Sequence, residues 1–169
     1  MRKIIVQLAV SLDGFIEGAN GEYDWCFTDQ DYGMTAFLES IDTILYGRKS
    51  YELLLKTGDT SFEKFRTIVC TKQKDLAFKG VEIWSDRLQE NVSILKNQPG
   101  KDIWFFGGAE LLTIFLENDW VDELRLAVHP VVLGSGKPLF QNLSKRKYLG
   151  LTHVQQYSTG LVMLHYEKN

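Results

Sequence analysis

The sequence predicts one α/β domain, with a mainly parallel β-sheet covered on both faces by helices and an antiparallel hairpin at one edge. Two observations carry that expectation. Short apolar runs alternate with helical stretches from Ile4 to Leu116. Two long strand-like runs then flank Ser158, Thr159 and Gly160, a turn short enough for a hairpin. The length of 169 residues suits a single domain over 1–169, because a chain of that size buries roughly 70% of the surface its unfolded form exposes.

Taken in order, Ile4 to Val10 is apolar apart from Gln7 and reads as a strand buried on both faces. Leu12 to Gln30 contains Gly14, Gly18 and Gly21 and reads as one long loop. Loops of that length are often functional. Met34, Phe37, Leu38 and Ile41 form one helical stripe. Thr43 to Gly47 is a short strand, and Tyr51, Leu54 and Leu55 mark the inner face of the next helix. Thr67 to Cys70 and Val81 to Trp84 read as buried strands, and Asp86 to Asn97 as a helix with Leu88, Val92 and Leu95 inward. Asp102 to Phe106 is an aromatic-rich strand leading into Gly107 and Gly108. A helix with Leu111, Leu112, Phe115 and Leu116 follows, and then a strand in which Leu124, Leu126 and Val128 alternate.

Composition excludes several classes. Hydrophobic residues make up 44% and charged residues 24%, with a net charge of −3, so no basic surplus marks a nucleic-acid binder. No stretch approaches the ~20 apolar residues of a membrane span, and the run ending at Val10 leads into Ser11, Leu12 and Asp13 rather than an export cleavage site. Cys26 and Cys70 are far apart and in no CxxC pattern. They read as small hydrophobes in a reducing cytoplasm. His129, His153 and His165 form no ligand cluster with them, so no metal site is expected.

Three places point to phosphate chemistry. Gly47, Arg48, Lys49 and Ser50 stand where a strand becomes a helix, so free N–H groups meet two cations and a hydroxyl. Cations oppose the usual preference at a helix start, and an anion bound there resolves the conflict; the alternative is a solvated surface turn. Phe106, Gly107, Gly108, Ala109 and Glu110 form a second such junction, where paired glycines let a phosphate approach the backbone. The alternative is a turn needing glycine for its dihedrals. Thr71 and Lys72 follow the strand ending at Cys70. If the strands are parallel, they and Arg48 can surround the extra phosphate that separates NADPH from NADH. The GxGxxG fingerprint is absent. Gly134-Ser135-Gly136-Lys137 fails as a P-loop, because Val131 and Pro138 replace its first glycine and its Ser/Thr.

The blocks VSLDGFI (Val10 to Ile16), DTILYGRKSYE (Asp42 to Glu52), IWFFGGAEL (Ile103 to Leu111) and VDELRLAVHPVVLGSGKPLF (Val121 to Phe140) occur in one order. Together they resemble the dihydrofolate-reductase-like superfamily. The likeness is to the branch holding the C-terminal reductase domain of the riboflavin-biosynthesis deaminase-reductase and its stand-alone bacterial relatives. The resemblance implies an eight-stranded, mostly parallel sheet with NADPH across its carboxyl edge. It implies that Arg48 meets the 2′-phosphate, with Thr71 and Lys72 around it, and that Gly47, Lys49 and Ser50 meet the pyrophosphate. Phe106, Gly107, Gly108, Ala109 and Glu110 would form the glycine loop beneath it. Ala9 and Ile16 would line the nicotinamide side, and Leu12 to Trp25 would be a mobile flap.

The activity so implied is an NADPH-dependent reduction of a small heterocyclic or ribosylaminopyrimidine-type substrate, in the cytoplasm, by a homodimer. Dihydrofolate reduction and non-catalytic NADPH binding are the alternatives. Dihydrofolate reductases carry a carboxylate sixteen residues ahead of the glycine matching Gly47; Asp31 has that spacing and Asp29 competes with it. Ala127 replaces the supporting threonine, and Phe65 the arginine that grips the folate tail, with Arg66 adjacent. Both departures argue against folate, and the run from His129 to Gly136 points to the riboflavin-type branch. No deaminase domain is expected ahead of this one, so the resemblance assigns no place in that pathway.

Overall fold

The unbroken apolar character of the first strand follows from its position. β1 (Ile4–Ser11) lies inside the sheet, with helices over both of its faces. The structure, a computed structural model, describes residues 1–169. After β1 come β2 (Phe15–Glu17), α1 (Met34–Ser40), β3 (Ile41–Gly47), α2 (Arg48–Thr57), β4 (Arg66–Cys70) and β5 (Glu82–Trp84). They are followed by α3 (Leu88–Asn97), β6 (Asp102–Gly107), α4 (Ala109–Glu117), β7 (Glu123–His129), β8 (Lys137–Pro138), β9 (Leu149–Gln156) and β10 (Val162–Lys168).

The main sheet has eight strands in the order β5-β4-β3-β6-β1-β7-β10-β9. The first six are mutually parallel, and β10 and β9 return as the antiparallel hairpin. The three-layer α/β architecture is therefore the one expected. Alternation along each strand sorts the core into two clusters. Ile4, Val6 and Val10 of β1 join Val92 and Leu95 of α3 and Leu112, Phe115 and Leu116 of α4 on one face. Ile5, Phe37, Ile44, Tyr46 and Trp104 pack on the other, under α1 and α2.

Three expectations need correction. Leu12 to Gln30 is not a bare loop: β2 lies in it and pairs antiparallel with β8. Strands of three and two residues are too short to show a period. Leu55 faces outward, 52% exposed, and the inner side of α2 is carried by Tyr51 and Leu54. Ile41 closes the apolar stripe of α1 but already belongs to β3.

Parallel register brings the carboxyl ends of six strands to one rim. Tyr46 registers with Gly107, Gly47 with Cys70, Cys70 with Trp84, and Ser11 with His129. The amino ends are tied differently. Buried Arg2 donates to Asp42 and to Thr43 Oγ1. Lys96 Nζ lies 2.6 Å from Asp122, which also accepts the Ile4 N–H at 2.8 Å and pairs with Lys168 at 2.8 Å. No helix is long and apolar enough to cross a membrane.

Candidate active site

Two helix starts meet at the rim. A Cβ on Gly47 would lie 3.2 Å from the Gly108 nitrogen and 3.3 Å from the Gly107 oxygen, so the two turns touch through bare backbone. A Cβ on Gly108 would meet Ser50 Oγ at 3.2 Å and Lys137 Nζ at 4.0 Å. Gly107 has φ +140°, a conformation reserved for glycine, and its peptide bond to Gly108 is cis. Neither α2 nor α4 has a side-chain cap at its start. Their first N–H groups therefore lack the usual partner and remain available to an anion.

The cations gather around this junction. Lys49 Nζ lies 3.9 Å from Glu110 across the two helix starts, both side chains exposed. Arg48 is held by Glu52, with Nη1 at 2.8 Å from both carboxylate oxygens. Thr71 follows Cys70, the register partner of Gly47, so it stands beside Arg48 on the neighbouring strand. Its N–H donates to the Trp84 carbonyl at 3.0 Å, and its hydroxyl accepts from the Gln73 N–H at 3.1 Å. Lys72 is exposed. The structure thus brings Gly47, Arg48, Lys49, Ser50, Thr71, Gly107, Gly108 and Glu110 to one rim; Phe106 packs against the α1–α2 core and Ala109 is buried.

The remaining expected residues divide. Ala9 and its register partner Ala127 lie side by side on the α1–α2 face of the sheet. Ile16 packs instead against the α3–α4 cluster. Asp31 stands exposed ahead of α1, where its carboxylate accepts from the Thr35 hydroxyl at 2.6 Å and the Thr35 N–H at 2.9 Å. These bonds hold it below the usual carboxylate range, so at neutral pH it is an ionised helix-start group. Asp29 accepts from the Tyr32 hydroxyl at 2.6 Å. Phe65 is buried, and Arg66 binds Glu82 at 2.7 Å at the amino end of β4, away from the rim.

Sequence reasoning missed several residues here. Lys137 reaches the glycine turn because β8 pairs with β2, where it also meets Glu17 at 3.3 Å. Asp13 accepts from Ser11 Oγ and from the N–H groups of Leu133 and Gly134, fastening the long loop to the segment after β7. These bonds hold Asp13 low, the one from Ser11 foremost. His129 clamps the same loop: Nδ1 lies 2.9 Å from the Ala127 carbonyl and Nε2 accepts the Phe27 N–H at 3.0 Å. Trp25 and Phe27 flank its ring, and burial lowers its pKa. Tyr32 ties the loop to Thr159 in the hairpin turn at 3.1 Å. The thiols are pushed up by burial, Cys26 to about 11 and Cys70 to about 12.

The fold and rim together define a three-layer α/β domain whose parallel strands end in two glycine-bearing helix starts. The family model of the RibD C-terminal domain matches residues 2–163, and the chain belongs to that family. An uncharacterized Bacillus subtilis protein, YyaP, is 46% identical over 180 aligned residues, covering 99% of this chain and 96% of its own. Solved structures share the fold. A Shewanella sp. PV-4 protein provisionally named for riboflavin biosynthesis superposes with TM-score 0.89 at 23% identity, covering 99% of both chains. The Thermotoga maritima diaminohydroxyphosphoribosylaminopyrimidine deaminase/5-amino-6-(5-phosphoribosylamino)uracil reductase gives 0.75 at 17%, over 99% of this chain and 57% of that one. Enterococcus faecalis dihydrofolate reductase, complexed with NADP(H), gives 0.69 at 17%, over 99% and 96%.

Proposed function

We propose that the chain is a cytoplasmic NADPH-dependent reductase of a small heterocyclic, ribosylaminopyrimidine-type substrate. The observation that carries this reading is the contact of the Gly47 and Gly107–Gly108 turns, where a Cβ on Gly47 would crowd the opposite backbone and one on Gly108 would crowd the Ser50 hydroxyl. Such a cradle, with two uncapped helix starts, the Ser50 hydroxyl and the Lys137 ammonium, fits a pyrophosphate. Arg48, Thr71 and Lys72 would hold a 2′-phosphate. Ala9 and Ala127 leave a shallow floor for flat rings beside the rim.

When bound, the dihydronicotinamide supplies hydride. The chain's own share is binding, alignment and the exclusion of water. His129 and Tyr32 hold the long loop against the carboxyl rim and hairpin turn, which supports reading it as a cover over the cleft. Exposed, ionised Asp31 is poorly suited to donate a proton, and we assign that proton to water entering the cleft. Asp31→Asn is expected to leave turnover unchanged.

Quenching of the four tryptophans on titration with NADPH and NADH tests the reading. Clear preference for NADPH is expected, and equal or absent binding of both would overturn it. Turnover on dihydrofolate and on the aminopyrimidine precursor then separates the two named activities, and NADPH binding without turnover on any substrate would leave a binding domain.

We also propose a homodimer. β9 is an edge strand whose Leu151 and Val154 are 54% and 50% exposed, the kind of edge that proteins cover. Light scattering is expected to give twice the chain mass, and a monomer at working concentration would count against it.

A further inference from the structure

One side chain interrupts the apolar run of β1. Gln7 is 6% exposed and lies on the α1–α2 face, as do Ile5 below it and Ala9 above it. Its main-chain carbonyl accepts the Trp104 indole N–H at 3.0 Å. The carboxamide itself is poorly served. Its nitrogen has only the Met34 thioether at 3.8 Å, a weak acceptor, and no protein donor reaches its oxygen. A primary amide this deep in a strand and so weakly partnered by protein is free to bond a ligand or a bound water.

The surroundings favour a ligand. Toward the rim, the next side chains on this face are only the half-buried methyl groups of Ala9 and Ala127. Its cross-strand partner, Arg125, is committed elsewhere: its guanidinium binds Glu123 at 2.8 and 3.2 Å and lies over the Phe37 ring. Met34 is unbranched and flexible, so it can give way without disturbing α1. Gln7 therefore offers an uncommitted donor and acceptor side by side on this face.

We infer that Gln7 is a specificity-determining residue, whose carboxamide pairs with the cyclic amide edge of the substrate ring. This rests on the reductase reading of the rim. A carboxamide presents one donor beside one acceptor, matching a ring N–H beside a ring carbonyl. Against a protonated amidine edge, which presents donors only, its N–H group faces another donor. A carboxylate at this position has the reverse preference.

The test uses the full chain with saturating NADP⁺ and two probes, 6-aminouracil and 2,4-diaminopyrimidine, with binding followed by calorimetry. Wild type is expected to bind 6-aminouracil in preference. Gln7→Met, close in shape and apolar, should lose that binding about tenfold or more while melting no lower than wild type. Gln7→Glu should turn the preference toward 2,4-diaminopyrimidine, a reversal that a purely structural glutamine would not produce. Wild-type affinity for 6-aminouracil in Gln7→Met, no reversal in Gln7→Glu, or no pyrimidine binding by wild type that does bind NADP⁺ would each overturn the inference and leave the reductase reading standing. Absence of NADP⁺ and NADPH binding would remove both.

Discussion

At the amino ends of the parallel strands, the buried charges of Arg2, Lys96 and Glu123 each have a partner. At the carboxyl ends, two helices start without side-chain caps, glycines replace side chains, and Lys49 and Lys72 reach into solvent. The same strands thus end in a closed network on one side and an open cradle on the other. Satisfied groups stabilise the fold but offer a ligand nothing, whereas a binding rim must keep donors free. Stability and binding should therefore respond to substitutions at opposite ends of the sheet.

The largest effect is expected at the closed end. Asp122→Ala leaves the Lys96 ammonium, only 9% exposed, without its carboxylate and the Ile4 N–H without its acceptor. Breaking a buried pair in this way costs about 3–5 kcal/mol, a large part of a domain's ~5–15 kcal/mol. Urea unfolding should show the loss, and NADPH affinity of the folded protein, measured at low temperature, should not change. If affinity falls in step with stability, the two ends are not separable.

The converse variant lies at the rim. Arg48→Ala removes only a half-exposed pair with Glu52 one helical turn away, worth about 0.3–0.5 kcal/mol, so the melting temperature should barely move. If Arg48 meets the 2′-phosphate, a charge-assisted bond of about 1.5–3 kcal/mol disappears, roughly ten- to a hundredfold in NADPH affinity. NADH binding should be unaltered. Equal weakening of both nucleotides would place Arg48 elsewhere.

The same contrast explains what the sequence could reveal. Gly47, Arg48, Gly107 and Gly108 were legible because each junction is local: a strand, a glycine and a helix start are adjacent in the chain. Lys137 and His129 were not, since their roles arise from β2 meeting β8 and from Phe27 crossing to β7. Nothing nearby in the sequence encodes those contacts. Asp31 was singled out by its spacing, yet the local bonds from Thr35 decide its state. Gln7 did leave a signal as the polar residue that interrupts the apolar run from Ile4 to Val10. The parallel strands were readable because they are apolar runs or, in β7, an alternating stretch, and β2 and β8 were not because they are too short to have a pattern.

Acid should weaken the protein through two histidines. Burial is the first cause of the lowered pKa of both His129 and His165. In each case the folded value lies below the ordinary 6.5, so the unfolded chain binds more protons. Their contribution is present above pH 6.5 and is lost as pH falls through the folded values. Protonated His129 also cannot accept the Phe27 N–H, which frees the loop from the rim. Melting temperature should drop between pH 7.5 and 5.5. His129→Gln should flatten part of that slope, leaving the part due to His165. A slope unchanged by His129→Gln would show that the loop is not latched there.

The smallest effect is expected at Tyr46, where the closed core meets the open rim. It is fully buried directly before Gly47, its ring against Tyr51 and Phe106, yet its hydroxyl has no hydrogen-bond partner. Burial raises its pKa, so the group is a neutral phenol. Removing an unsatisfied buried hydroxyl while keeping the ring relieves its desolvation, a gain of about 1 kcal/mol. Tyr46→Phe should therefore unfold at slightly higher urea with unchanged NADPH affinity. Weaker binding at equal or greater stability would mean that this hydroxyl belongs to the rim, and that the open end of the sheet reaches one layer deeper than its glycine turns.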